Sequence, residues 1–418
     1  MKVLEMELVD FLNDAVSPYH TVTTAIALLE KAGFERLAPE APASAGRHYT
    51  VIGGKTLFAW IAPEQADSFH IVSAHTDFPA LKVKTEPYIS KLGSHFLAIH
   101  PYDGPNLARW MDRDLKLAGR IYVADRGHVV PKMIAPDLAF RTIGLPTHMS
   151  PGGDAVNAQT DLHAFFGTGK ALSPETFWEM LTGDDSGQPL EHDLYLHEAA
   201  GASHFGVDDG FVSSGRLDNL ISCFSALSAL AATKAAAGST IPMVALFDAE
   251  EIGSGTWLGA KSPLLENLLK KLGGDDVTAM IGRSAQISLD VAHAVHPLTP
   301  ELFDSQKSPM MAGGPVCKYG IRGNYAYSAN LMAQIRLLAS QIDCPLQQFT
   351  YRADRGQGGS LGPHSSTALS IRTIDLGAPI FAMHSIREVC AEADVTATTG
   401  LISAFLAASA FFKGYDDD

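Results

Sequence analysis

Short apolar runs recur along this chain between longer helical stretches, and most of them lack a polar residue at every second position. "KTLFAWIA", "FHIVSAHTD", "IPMVALFDAEE", "AQISLDVAHA" and "APIFAMHSIRE" are rich in β-branched and aromatic residues and nearly continuous in their apolar core. A strand apolar at consecutive positions has both faces buried, the pattern of a mostly parallel sheet covered on each side by helices. Helices of the right spacing lie between and around these runs. "EMELVDFLNDAVSPYHTVTTAIALLEKAGF" carries two, divided at Ser-Pro, while "NLISCFSALSALAATKAA" and "VTATTGLISAFLAASAFFKG" carry one each. The expected fold class is therefore α/β, a mixed and mostly parallel sheet flanked by helices.

The segment from 84 to 212 departs from that pattern. It holds many of the prolines, glycines and polar turns, with short strand-like pieces such as "GRIYVADRGHVV" and few long helical patterns. The expectation is a discontinuous α/β domain over 1–83 and 213–418, with a β-rich domain inserted at 84–212. A chain of 418 residues has room for both.

Composition narrows the partners. A formal charge of −15 disfavours nucleic acid and an anionic membrane surface. The most apolar region, "ISCFSALSALAATKAAAGSTIPMVALF", is interrupted by Lys234, Gly238 and Pro242, which suits a helix, a turn and a strand rather than a membrane span. "MKVLEMELVDFLNDAVSPYH" mixes acids into every turn and lacks the apolar core of a signal peptide, so a cytoplasmic protein is expected. Cys223, Cys317, Cys344 and Cys390 are widely spaced with no CxxC pair, and are expected to be reduced and buried. There is no P-loop and no dinucleotide-binding fingerprint.

Chemistry gathers at the ends of the strand runs. "FHIVSAHTD" finishes in His75 and Asp77, "VALFDAEE" in Glu250 and Glu251, "ISLD" in Asp290 and "IFAMH" in His384. Ligands of open α/β sheets bind at the carboxyl ends of the strands, so these residues are candidates for one site. Asp218, in "GRLDNLISCF", adds a carboxylate at a loop-to-helix junction. Taken singly, each has a plainer reading: a hydrogen-bonded core histidine, a helix N-cap aspartate, a carboxylate paired with an arginine. Taken together they would put several carboxylates at one sheet edge, a costly burial without a cation. Two imidazoles and three carboxylates, with no cysteine, suit Zn, Co or Mn at a catalytic centre better than a closed structural site. Shared between two ions, such a set leaves room for substrate.

Six ordered blocks carry a resemblance over nearly the whole chain. "SAHTDFPALKVK", "RLDNLISCFSAL", "FDAEEIGSGT", "SLDVAHAVHP", "GPVCKYG" and "GAPIFAMHSIRE" resemble the aspartyl aminopeptidase family of dinuclear zinc exopeptidases, and "WMDRDLKLAGRIYV" resembles its inserted dimerisation domain. The resemblance implies that His75 and Asp290 bind one zinc, Glu251 and His384 the other, and that Asp218 bridges them. It implies Glu250 as general base and Asp77 as the carboxylate that orients His75. His293, Lys318 and Tyr325 match substrate-contacting positions, and His148 in "LPTHMSP" resembles a histidine that reaches a neighbouring subunit's site. Peptides with a free N-terminus would be substrates, with Lys318 in the first side-chain pocket favouring Asp or Glu. An exposed Lys318 would leave a broad or apolar preference. The family also implies a homo-oligomer built from dimers, up to a dodecamer. Two other readings remain open: a related dinuclear metallopeptidase of different specificity, and a catalytically silent self-assembling scaffold.

Overall fold

The computed structural model describes residues 6–149, 156–183, 188–234 and 238–416. Its largest sheet has nine strands in the order Glu35–Arg36, Gly46–Ile52, Thr56–Ala62, Thr240–Phe247, Ser68–His75, Ala285–Leu289, Arg372–Gly377, Val316–Tyr319 and Gln347–Thr350. The four central strands, from Thr240–Phe247 to Arg372–Gly377, run parallel, and antiparallel pairs flank them. Every residue of Thr240–Phe247 and of Ser68–His75 is buried. The period of two explains why both faces are apolar. Val72, Ala74, Val244 and Leu246 pack on one face with the helices Leu217–Ala232 and Glu392–Ala407. Ile71, Met243, Ala245 and Phe247 pack on the other with Leu265, Leu268 and Leu269 of the helix Leu264–Gly273.

The Ser-Pro break works as expected at the start of the chain. Helix Leu8–Asp14 ends, Ser17 accepts from the His20 backbone N–H, and Pro18 opens helix Pro18–Lys31. Serine at the N-cap with proline in the first turn satisfies an orphan donor and pre-sets the backbone angle.

The inserted region forms a closed barrel. Six strands pair around a ring: Ala80–Lys91, Ser94–Tyr102, His163–Thr168, Ala139–Thr142, Asp114–Asp125 and Glu191–Glu198, the last returning to the first. His128–Ile134 adds a hairpin to Asp114–Asp125. Leu81, Leu97, Leu117, Ile121, Phe140 and Leu194 fill its core. At Gly119 a Cβ would lie 2.3 Å from the Asp193 carbonyl oxygen, so closure requires glycine there. Barrel pairing runs from Ala80 to Glu198, whereas the segment set apart in the sequence runs 84–212. Phe211–Ser214 pairs instead with Glu388–Ala391 in a small third sheet.

One expected strand is relocated. "APIFAMH" does not enter the main sheet: the central strand is the preceding Arg372–Gly377, and Pro379–Phe381 belongs to the third sheet. Gly377 marks the exit, since a Cβ there would sit 2.0 Å from the Asp290 carbonyl oxygen. All four cysteines are free; three are buried, while Cys344 is only half-buried at the surface end of its turn. Among the described residues no helix is long and apolar enough to cross a membrane.

Candidate metal centre

The carboxyl ends of the parallel strands open onto a cleft of about 810 Å³. His75 ends its strand buried, with Nε2 3.5 Å from Asp218 Oδ1, 3.6 Å from Asp290 Oδ1 and 3.9 Å from Glu250 Oε2. On the other side, His384 Nε2 lies 3.5 Å from Asp218 Oδ2 and 3.7 Å from Glu251 Oε2. Asp218 thus stands between two histidines, one oxygen toward each. It arrives at the first turn of Leu217–Ala232, and His384 arrives on a turn with φ +63° rather than at a strand end.

Asp77 organises the loops around this centre. Its Oδ1 accepts from the Glu250 backbone N–H at 3.0 Å, and its Oδ2 from the Glu251 N–H at 3.2 Å and the Tyr102 hydroxyl at 3.0 Å. The His75 Nδ1 lies 3.0 Å from the Asp77 carbonyl oxygen. One carboxylate therefore fixes the loop bearing both glutamates and sits behind the histidine.

The electrostatics are those of crowded acids. Burial pushes Glu250 up to about 8, reinforced by Asp290 and Asp77 and opposed by His75. Burial and Asp218 raise Glu251 well above the carboxylate range. Burial alone would lower His75 and His384, but bonds to carboxylates overcome it, holding His75 well above the usual value and His384 at about 9. Asp218 Oδ1 and Glu251 Oε1 are buried with no hydrogen-bond partner. Orphaned carboxylate oxygens, of which Asp218 Oδ1 faces the His75 imidazole, fit a bound cation, and the all-nitrogen-and-oxygen donor set fits zinc.

Lys318 is not on an exposed loop. It is 2% exposed, its Nζ is 2.8 Å from Asp290 Oδ2, and it lies 5.1 Å from the Tyr325 ring centre. The Tyr325 hydroxyl donates to Tyr351 at 3.2 Å, and Tyr351 lies 3.3 Å from His293 Nε2, so all three line the cleft as one chain. The glycine-rich loop also lines it, through Gly356, Gly358, Gly359 and Ser360. Gly358–Gly362 spells G-x-S-x-G, but Ser360 donates to Asp375 at 2.6 Å and is not seated as a nucleophile beside a histidine. His148 sits exposed on a 3₁₀ turn of the inserted domain and does not line the cleft of its own chain.

Three residues escaped the sequence reading. Glu388, buried, accepts from the Asp218 and His384 backbone N–H groups at 3.1 and 2.8 Å. Burial, with Asp218 nearby, pushes it up to about 8. Its signal was its place four residues beyond His384, at the end of the same quoted block. Tyr351 and Asp103 had no local mark, since each reaches the site only through the tertiary fold.

Imidazoles and carboxylates converging at the carboxyl ends of a mostly parallel sheet define a metallohydrolase. Comparison with known proteins narrows that class. The family described as "Aminopeptidase I zinc metalloprotease (M18)" matches residues 11–153 and 179–406. The chain belongs to the M18 family and is a metallo-aminopeptidase. A "Probable M18 family aminopeptidase 2" of Pseudomonas syringae pv. syringae (strain B728a) is 32% identical over 423 residues, covering 97% of this chain and 98% of that protein. The fold matches a chain in the cryo-EM structure of the Ape4 and Nbr1 complex with a TM-score of 0.91 at 27% identity, over 96% of this chain and 84% of the other. It also matches the S. cerevisiae mApe1 dodecamer, with a TM-score of 0.80 at 23% identity over 95% of each chain, a likeness of fold.

Proposed function

We propose that the protein removes N-terminal residues from peptides at a dinuclear zinc centre, with a preference for Asp or Glu. The observation that carries this reading is Asp218, whose two oxygens face His75 and His384 separately. His75 and Asp290 would hold one ion, Glu251 and His384 the second, and Asp218 both; Co or Mn would suit the same donors. Bound there, the metals would supply Lewis acidity and lower the pKa of water toward neutrality.

The chain's own residues supply the rest. Glu250 stands at the cleft with its backbone tied to Asp77 and its side chain 18% exposed, able to take a proton from water and return it to the leaving amine. The His293, Tyr351 and Tyr325 chain offers hydrogen bonds to charge developing on the scissile carbonyl oxygen. Among the described residues Lys318 is the one lysine or arginine lining the cleft. With Asp290 engaged by a cation, its ammonium is the group that an acidic substrate side chain would meet.

The inserted barrel is read as the dimerisation domain of a homo-oligomer extending to a dodecamer. In support, Ile143, Leu145 and Met149 beside His148 are 49%, 71% and 61% exposed. His148 would then complete a partner's site.

A panel of peptides with N-terminal Asp, Glu, Leu, Lys or Ala, hydrolysed by zinc-loaded wild type and Lys318→Met, tests the specificity. Asp or Glu should dominate, and the variant should lose that preference. A wild-type preference for Leu or Lys would remove the role given to Lys318. Absence of turnover with any metal would favour the scaffold.

A further inference from the structure

The barrel reaches into the metal centre from behind. Directly after the barrel strand Ser94–Tyr102, Asp103 adopts φ +63° and brings its Oδ2 to 3.3 Å from His384 Nδ1. Three residues on, the Asn106 backbone N–H donates to the His384 carbonyl oxygen at 3.0 Å. The barrel therefore holds His384 at its backbone and at its ring.

The two histidines of the site differ in this respect. His75 Nδ1 lies 3.0 Å from the carbonyl oxygen and 3.4 Å from the Oδ1 of Asp77, two residues away in its own loop. His384 is held by a carboxylate from another part of the fold. A carboxylate at ion-pair distance from the Nδ1 of an imidazole favours the tautomer with the proton on that nitrogen, which presents the Nε2 lone pair, and biases the ring orientation. For His384 that lone pair faces Asp218 Oδ2 and Glu251 Oε2. Asp103 Oδ2 meets the opposite nitrogen, and a carboxylate oxygen of Asp103 also lies within 4.8 Å of one on Glu251.

We propose that Asp103 is a positioning residue supplied by the barrel, which sets the orientation of His384 and so the affinity of the metal position formed by His384 and Glu251. This rests on the dinuclear reading above. It makes the two positions unequal in their immediate ring partners: His75 Nδ1 meets Asp77 of its own loop, whereas His384 Nδ1 meets a carboxylate from the barrel.

The test is metal binding, read independently of turnover. Metal-free wild type, Asp103→Ala, Asp103→Asn and, as an exposed barrel control, Asp137→Asn are titrated with Zn²⁺ against a chromophoric chelator, and with Co²⁺ by its visible spectrum. Far-UV circular dichroism checks that each variant is folded. Wild type and Asp137→Asn should bind two equivalents. Asp103→Ala should bind one equivalent ~10–100-fold more weakly, the loss typical when a partner behind a ligating histidine is removed, and keep the other. Asp103→Asn, which retains an acceptor oxygen, should recover part of that loss. Two equivalents at wild-type affinity in Asp103→Ala, or both weakened alike, would overturn the positioning role while leaving the dinuclear reading intact. Fewer than two equivalents in the wild type would instead overturn the dinuclear reading itself.

Discussion

Two buried acidic clusters lie close together in this protein and solve the same problem differently. In the first, Asp248 and Asp193 meet between the α/β sheet and the barrel. Lys55 Nζ lies 2.8 Å from Asp248 and 3.2 Å from Asp193, Lys82 Nζ lies 2.8 Å from Asp193, and the Tyr19 hydroxyl donates to Asp193 at 2.8 Å. Two residues beyond Asp248 begins the second cluster, where Glu250, Glu251, Asp218 and Asp290 gather. There Lys318 serves Asp290 alone, and Asp218 Oδ1 and Glu251 Oε1, like Asp248 Oδ1 of the first cluster, have no hydrogen-bond partner; what differs is that no lysine reaches Asp218 or Glu251 among the described residues. The first cluster carries its counter-ions in the sequence and so ties two parts of the fold together permanently. The second leaves its compensation to an ion from solution, and that incompleteness is what makes it reactive.

The contrast can be attacked from its functional side first. Replacing Glu250 by Gln should lower kcat by ~10²–10⁴ while zinc stoichiometry stays at the wild-type value. Steady-state kinetics beside metal analysis measures both, and an equally active variant would end the assignment of the base. Next, stripping metal with a chelator should destabilise the wild type by about 4 kcal/mol relative to protein held at a thousandfold excess of zinc over its Kd. Thermal melts of both forms give the difference. The lysine cluster should behave otherwise. Lys55→Met leaves buried Asp248 without its cation and Asp193 with Lys82 alone, and should cost about 3 kcal/mol in urea unfolding. That loss should be the same with and without zinc; a zinc-dependent loss would mean that the two clusters are one system.

The smallest effect is one of pH. Burial alone would raise Asp193, but Lys55 and Lys82 outweigh it and hold its carboxyl well below the ordinary range. A carboxylate lowered in the folded state stabilises above its unfolded pKa, about 3.9, and loses that contribution as pH falls through this value toward the folded one. Urea melts between pH 6 and pH 3 should therefore show a decline that Asp193→Asn flattens. An unaltered slope would place the acid sensitivity elsewhere.

What the sequence could reveal follows from how local each signal is. His75, Glu250, Glu251 and Asp290 each close an apolar run, so a strand and its sheet edge predict their convergence, and the structure brings them together. Asp218 was visible because it precedes a helix. His384 was found in its block, yet its strand was misplaced, since the tight crossing at Gly377 depends on where Asp290 runs. Asp103 and Asp193 were silent, being surface-like acids on barrel elements whose partners lie far away in the chain. Barrel closure was equally hidden, because it depends on Glu191–Glu198 pairing at once with Asp114–Asp125 and Ala80–Lys91. Lys318 shows the reverse case: its residue type suggested a charge offered to substrate, and only the fold shows it already paired with Asp290.

Closing the inserted strands into a ring also bears on how this protein avoids sticking to itself in the wrong way. An open sheet of these strands would expose two rows of unpaired amides and carbonyls, each a template for aggregation. Among the described residues the strand His128–Ile134 has an unpaired outer edge, and it carries Pro131, which has no donor there. Strand addition along this edge is therefore interrupted at Pro131, whatever approaches it.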